Sequence, residues 1–112
     1  MTENKMDGWL FIDKPIGISS FSVIRKIRKK LNIKKIGHAG TLDPFATGAL
    51  GIAIGEATKS IDYLSNIKEY EFNITFGESK TTEDLEGETL EWTNKIPNEN
   101  DIKNILKYFT GI

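Results

Sequence analysis

The sequence predicts an α+β fold, and three observations carry that prediction. Residues 20–31 and 98–109 place apolar side chains at helical spacing. Short segments at 9–12, 50–54 and 70–76 have the apolar or alternating pattern of strands. The order of these segments shows no strict strand–helix–strand alternation, which sets the chain apart from parallel α/β folds.

Trp9-Leu10-Phe11-Ile12 is a short buried strand bounded by Gly8 and by Lys14-Pro15. Pro15 and Gly17 make a turn, and Ser19 or Ser20 can cap the helix that follows. That helix carries Ile24, Ile27 and Leu31 on one face, with Phe21 and Val23 beside them, and ends at Asn32. Its other face holds Arg25, Lys26, Arg28, Lys29 and Lys30. Between Gly37 and Gly48, three glycines and Pro44 fall within twelve residues, so no regular element is expected there. Leu50 to Ile54 predicts a buried strand ending at Gly55, and Ala57 to Ser65 a short helix. Tyr70, Phe72, Ile74 and Phe76 alternate with Glu71, Asn73 and Thr75, the pattern of a strand with one face on the core. Gly77 to Gly87 is a polar loop, and Thr89 to Trp92 a short strand. Asn98 then caps a helix with Ile102, Ile105, Leu106 and Phe109 at helical spacing, stopped by Gly111.

Composition narrows the function classes. At 112 residues and 38% hydrophobic content, the chain suits one domain or part of one. It has no Cys, which excludes disulfides, thiolate catalysis and Cys-ligated zinc. One His and scattered acids argue against a structural metal site. No apolar run approaches the ~20 residues of a membrane span. The first residues lack the apolar stretch of a signal peptide, so a cytoplasmic protein is expected. Charge is uneven: residues 1–60 hold 10 Lys/Arg against 5 Asp/Glu, and residues 61–112 hold 5 against 11. A basic helix face of this kind can meet phosphates, although a solvated surface has the same composition.

The most informative segment is Gly37-His38-Ala39-Gly40-Thr41-Leu42-Asp43-Pro44-Phe45-Ala46-Thr47-Gly48. Its glycines permit positive φ and close approach of a ligand. Pro44 stiffens the loop and biases Asp43 away from helical geometry. Asp43 lies between Leu42 and Phe45, so a partly apolar pocket is expected around its carboxylate, a placement that tunes an acid or nucleophile. An Asp in such a loop also serves as a simple turn cap.

The whole string resembles the signature of the TruB/dyskerin family of pseudouridine synthases, in which this run surrounds the catalytic Asp. Lys14-Pro15-Ile16-Gly17-Ile18-Ser19-Ser20 is similar to the family's upstream element, and Gly55-Glu56-Ala57-Thr58-Lys59 to its following one. Lys68-Glu69-Tyr70 precedes the predicted strand as in the family. The likeness runs from about Gly8 to Ile112 and is nearer to the bacterial, stand-alone form. It implies a partial pseudouridine synthase catalytic domain with a mixed, largely antiparallel sheet and flanking helices, residues 1–112 being its N-terminal portion. The C-terminal part and RNA-binding region would then be absent, and the fragment alone would be inactive and prone to self-association. The implied reaction is isomerisation of a T-loop uridine of tRNA, at the position conventionally called 55, to pseudouridine, with no cofactor and no obligate protein partner. Asp43 would be the catalytic carboxylate. His38, Tyr70, Gly40, Thr41, Lys14 and Lys59 would bind substrate or support the loop, with Tyr70 stacking on the flipped base. Arg25, Lys26, Lys29 and Lys30 would meet the RNA backbone. The chain departs from the family pattern at Thr81, where an Asp is usual, while Asp84 and Gly87 match. Two other readings are a non-catalytic RNA-binding module with the same fold and a loop that is merely structural. The last would be favoured by a carboxylate wholly tied up by turn amides.

Overall fold

The computed structural model describes residues 4–64, 67–82, 84 and 86–112. The chain divides into two compact units, Met1–Glu69 and Tyr70–Ile112. Antiparallel sheets and helices in one chain make the class α+β, as the sequence predicts.

The first unit contains β1 (Gly8–Lys14), α1 (Ser20–Leu31), β2 (Ile36–Ala39), β3 (Gly48–Ile54) and a 3₁₀ helix over Gly55–Tyr63. The sheet order is β1-β3-β2, with both pairings antiparallel. A central strand is covered on both faces, which explains why β3 reads as a continuous apolar run. On one face Leu50, Ile52 and Ile54 pack with Val23 and Ile24 of α1 and with Ile33, and Leu10, Ile12, Ile27 and Ile36 surround them. On the other face the Trp9 Nε1 donates to Ser60 Oγ at 3.2 Å. The 3₁₀ helix lies so close to β2 that a Cβ on Gly37 would come 2.8 Å from Ile61 Cδ1.

The boundaries follow from local chemistry. Ser19 caps α1, its side chain accepting from the Ser22 amide at 3.0 Å. Asn32 closes the helix in the left-handed region at φ 51°, and its N–H bonds back to the Arg28 carbonyl. Arg28, Lys29 and Lys30 sit in the last turn, where cations complement the helix dipole. Gly55 turns the chain at φ +62°, and a Cβ there would lie 2.1 Å from the Met6 carbonyl. The neighbouring Asp7 Oδ1 accepts from the Glu56 amide at 2.7 Å and fastens the start of the 3₁₀ helix.

Two expectations for this unit are corrected. Residues 36–39 form a strand where none was expected, because the free edge of β3 supplies a ladder, His38 opposite Ile52 and Gly37 opposite Ala53. The irregular segment is thereby reduced to residues 40–47. The helix expected over 57–65 is instead a 3₁₀ helix beginning at Gly55, and Ser65 lies outside the described residues.

In the second unit β4 (Glu78–Lys80) pairs with β5 (Thr89–Trp92), and α2 spans Glu99–Leu106. Residues 70–75 are not a strand, contrary to the alternation of Tyr70, Phe72 and Ile74. Alternation makes a segment able to pair but does not supply the partner. The expected polar loop over 77–87 contains β4. Thr81, the departure from the family pattern, closes the hairpin: its N–H donates to the Glu88 carbonyl at 2.9 Å and its hydroxyl accepts from the Glu88 amide at 3.1 Å. Glu83 and Leu85 lie outside the described residues. Asn98 and Asp101 form a reciprocal capping box on α2, with bonds of 2.9 and 3.1 Å. The helix ends at Leu106, ahead of the expected stop, and a 3₁₀ turn over Lys107–Phe109 follows.

The least expected feature of the core is Lys14. Period-two alternation puts it on the same face of β1 as Leu10 and Ile12. It is 0% exposed. Its Nζ donates to the carbonyls of Pro15 at 2.9 Å, Ile18 at 2.8 Å and Pro44 at 3.2 Å. One ammonium thus joins the turn after β1 to the loop before β3. Lys14→Met keeps the length of the side chain and removes all three donors. Orphaned acceptors at such a site cost about 1–3 kcal/mol. We expect at least that loss in urea denaturation followed by circular dichroism, and a loss below about 0.5 kcal/mol would contradict this role.

Candidate active site

Residues 40–47 connect β2 to β3 and carry Asp43. Gly40 starts the loop at φ +69°, a conformation costly for other residues. The Leu42 amide donates to Ser20 Oγ at 3.1 Å, and the same hydroxyl donates to the Leu42 carbonyl at 3.3 Å. The Pro44 carbonyl accepts from the Gly17 amide at 2.7 Å and from Lys14 Nζ at 3.2 Å. A tight turn follows, with the Ala46 amide donating to the Asp43 carbonyl at 2.9 Å. The backbone on both sides of Asp43 is therefore tied to residues 14–20.

The Asp43 side chain is exposed, and among the described residues none hydrogen-bonds its carboxylate. The expected partly apolar pocket is not formed by Leu42 and Phe45. Leu42 turns inward, within ordinary contact distance of where a Gly48 Cβ would stand, while Phe45 is itself exposed. The turn uses the Asp43 carbonyl and leaves its carboxylate unengaged.

The other predicted site residues fall into separate groups. His38 is the penultimate residue of β2, on the core-facing register and half-buried, with Nδ1 3.4 Å from Thr41 Oγ1. His38, Gly40 and Thr41 thus share the Asp43 loop and its entry strand. Lys14 is bound to the same loop from beneath, and its burial removes it from any phosphate. Lys59 is on the 3₁₀ helix and pairs with Glu56, which also takes Lys35 at 3.3 Å. The hydrogen bond from Lys59, and then that from Lys35, hold the Glu56 carboxyl below its ordinary range, and Glu56 raises the Lys59 ammonium. All three groups are exposed, so water screens this network. Tyr70 opens the second unit and is 40% exposed. Arg25, Lys26, Lys29 and Lys30 are exposed on α1, with the Arg25 guanidinium 5.4 Å from the centre of the Phe21 ring. Among the described residues, no three His, Asp or Glu side chains could hold a metal ion, and no helix is long and apolar enough to cross a membrane.

The sequence reading missed the participation of Ser20 and Gly17 in this loop. Ser20 is there an alternative helix cap and a member of the Lys14–Ser20 element, with no bond to the loop expected. The cap is Ser19, which leaves the Ser20 hydroxyl for Leu42.

Comparison with known proteins places this arrangement in a family. Residues 28–112 match the family described as TruB family pseudouridylate synthase, N-terminal domain. A protein of Ehrlichia chaffeensis named tRNA pseudouridine synthase B is 48% identical over 108 residues, covering 96% of this chain and 36% of its own length. One of the same name from Roseobacter denitrificans is 48% identical over 107 residues, covering 95% of this chain and 35% of its own length. A solved structure of an H/ACA RNP bound to a substrate RNA containing 2′-deoxyuridine aligns with a TM-score of 0.50 at 44% identity. That alignment covers 51% of this chain and 18% of the other. The chain spans about a third of the length of these curated relatives. With the family match extending over most of its residues, the chain belongs to the TruB family of pseudouridylate synthases and carries sequence of their N-terminal domain.

Proposed function

We propose that this chain supplies the catalytic carboxylate, Asp43, of a tRNA pseudouridine synthase. The observation that carries the proposal is the division of labour at Asp43: its backbone neighbours are tied down, while its carboxylate is exposed and takes no bond from the turn. A carboxylate serving only as a turn cap would accept from nearby amides. The names of the relatives and the RNA-bound structural neighbour support RNA as the substrate class.

In the proposed reaction the N1–C1′ bond of a uridine breaks, the uracil turns, and C5 bonds to C1′. The proton on C5 is lost and N1 gains one, so no electrons leave the substrate and no cofactor is required. Asp43 acts on the ribose or its C2′ proton. The target is a uridine of the T-loop, at the position conventionally called 55. It leaves the stack to reach an exposed carboxylate on a loop. His38, Gly40 and Thr41 line the entry to that loop, and Tyr70 is the proposed stacking partner for the base. Lys14 acts through the loop backbone. Lys59 belongs with the exposed cations, and Arg25, Lys26, Lys29 and Lys30 present a phosphate-binding face. The location proposed with this reading is the cytoplasm.

Asp43→Asn in the complete gene product keeps size and removes charge. Tritium release from C5-labelled tRNA should fall below about a hundredth of wild type while tRNA affinity holds within a few-fold. Turnover above that level would remove Asp43 from the chemistry. Undiminished tRNA binding without any turnover in the wild type would favour a non-catalytic RNA-binding module.

Replacing Lys26, Lys29 and Lys30 together by Gln should weaken tRNA binding and leave turnover at saturating tRNA unchanged. Each lost phosphate contact lowers the dependence of log affinity on log salt by roughly 0.7–0.9. A slope that does not change would show this face to be merely solvated.

A further inference from the structure

We propose that Ser20 is a positioning residue for this reaction, its buried hydroxyl fixing the backbone of Leu42 and with it the point from which the Asp43 side chain projects. The inference rests on the reading of Asp43 as the catalytic group.

Ser20 is 1% exposed and is the first residue of α1. Its hydroxyl offers one donor and two lone pairs. It donates to the Leu42 carbonyl at 3.3 Å and accepts from the Leu42 amide at 3.1 Å, so both backbone groups of the residue preceding Asp43 close on one oxygen. On the following side, Pro44 lacks an N–H and restricts Asp43 to extended geometry. The Pro44 carbonyl is held by Gly17 and Lys14. What remains free at Asp43 is its own side-chain rotation. The bonds to Leu42 cross 22 positions of sequence, which separates them from helix capping. The cap role belongs to Ser19, which accepts from the Ser22 amide and donates to the Ser22 hydroxyl. Because Ser20 is buried, removing its oxygen leaves Leu42 without a ready replacement from bulk water.

A displacement of about 1 Å at a reacting group can cost on the order of a hundredfold in rate. Ser20→Ala in the complete gene product should therefore lower kcat for pseudouridine formation by about 10- to 100-fold, with KM for tRNA within about threefold of wild type. Val23→Ala is the control. Val23 is buried in the core on the same helix and its side chain carries no group that could hydrogen-bond the loop, so its truncation lowers stability while kcat should stay within about threefold. Ser20→Thr and Ser20→Val form an isosteric pair in which any overpacking is shared. Thr should exceed Val in kcat by about tenfold or more. The proposal is overturned if Ser20→Ala retains wild-type kcat, if Val23→Ala and Ser20→Ala lose kcat equally, or if Thr and Val are equivalent. Failure of all three Ser20 variants to fold also overturns it, since the residue is then structural. Asp43→Asn is assayed in parallel: activity there removes the underlying reading, whereas an inactive Asp43→Asn beside a fully active Ser20→Ala removes only this inference.

Discussion

The burial of the Lys14 ammonium constrains the rest of the first unit. A cation removed from water is tolerated only when polar atoms surround it. Lys14 finds three carbonyls, from Pro15, Ile18 and Pro44, and no carboxylate among them. Two of the three belong to the turn after β1, and the third belongs to the loop that enters β3. Neither segment has regular structure of its own, so the cation makes each the support of the other. α1 must then begin where Ser19 and Ser20 stand, one to cap it and the other to hold Leu42. The sheet completes the frame, because Lys14 lies opposite Gly48 at the end of the β1–β3 ladder.

This frame separates two demands that conflict in most loops. A reactive side chain must be accessible, and accessible loops tend to move. Here the backbone of the loop is fixed from below by Lys14, Gly17 and Ser20, while the Asp43 side chain stays exposed. Electrostatics follow the same separation. The cations of α1 lie on an exposed face, while the loop that carries the carboxylate is organised by neutral backbone dipoles and one enclosed ammonium. The basic residues are concentrated in the first half of the sequence and the acidic ones in the second, which is why the face of α1 is the one proposed to meet a polyanion.

Much of this was legible before the structure. β1, α1, β3, β5 and α2 were readable because caps, spacing and apolar runs agree locally. β2 was not, because Ile36-Gly37-His38-Ala39 has no period of its own and becomes a strand only through the edge of β3. The segment at 70–75 failed in the opposite direction, since its period is good but a strand also needs a hydrogen-bonded neighbour. At the site, Asp43 stood out through the glycines and proline around it. The place of Lys14 was recoverable from the alternation of Leu10, Ile12 and Lys14, yet a lysine is ordinarily read as surface. Ser20 could not be separated from Ser19 without knowing which of them caps the helix. The exposed state of Asp43 was also beyond the sequence, because flanking apolar residues do not reveal that Leu42 turns inward.

The loop around Asp43 lies at the surface, yet its backbone is held on both sides by residues 14–20. Native-state hydrogen exchange of the Leu42 and Gly17 amides tests this most directly. Both bonds are specific to the frame: Leu42 to Ser20 Oγ, and Gly17 to the Pro44 carbonyl. Both amides should exchange at least about a hundredfold more slowly than in an unstructured peptide, approaching the amides of β3. Exchange of either amide at the unstructured rate, while β3 remains protected, would contradict it.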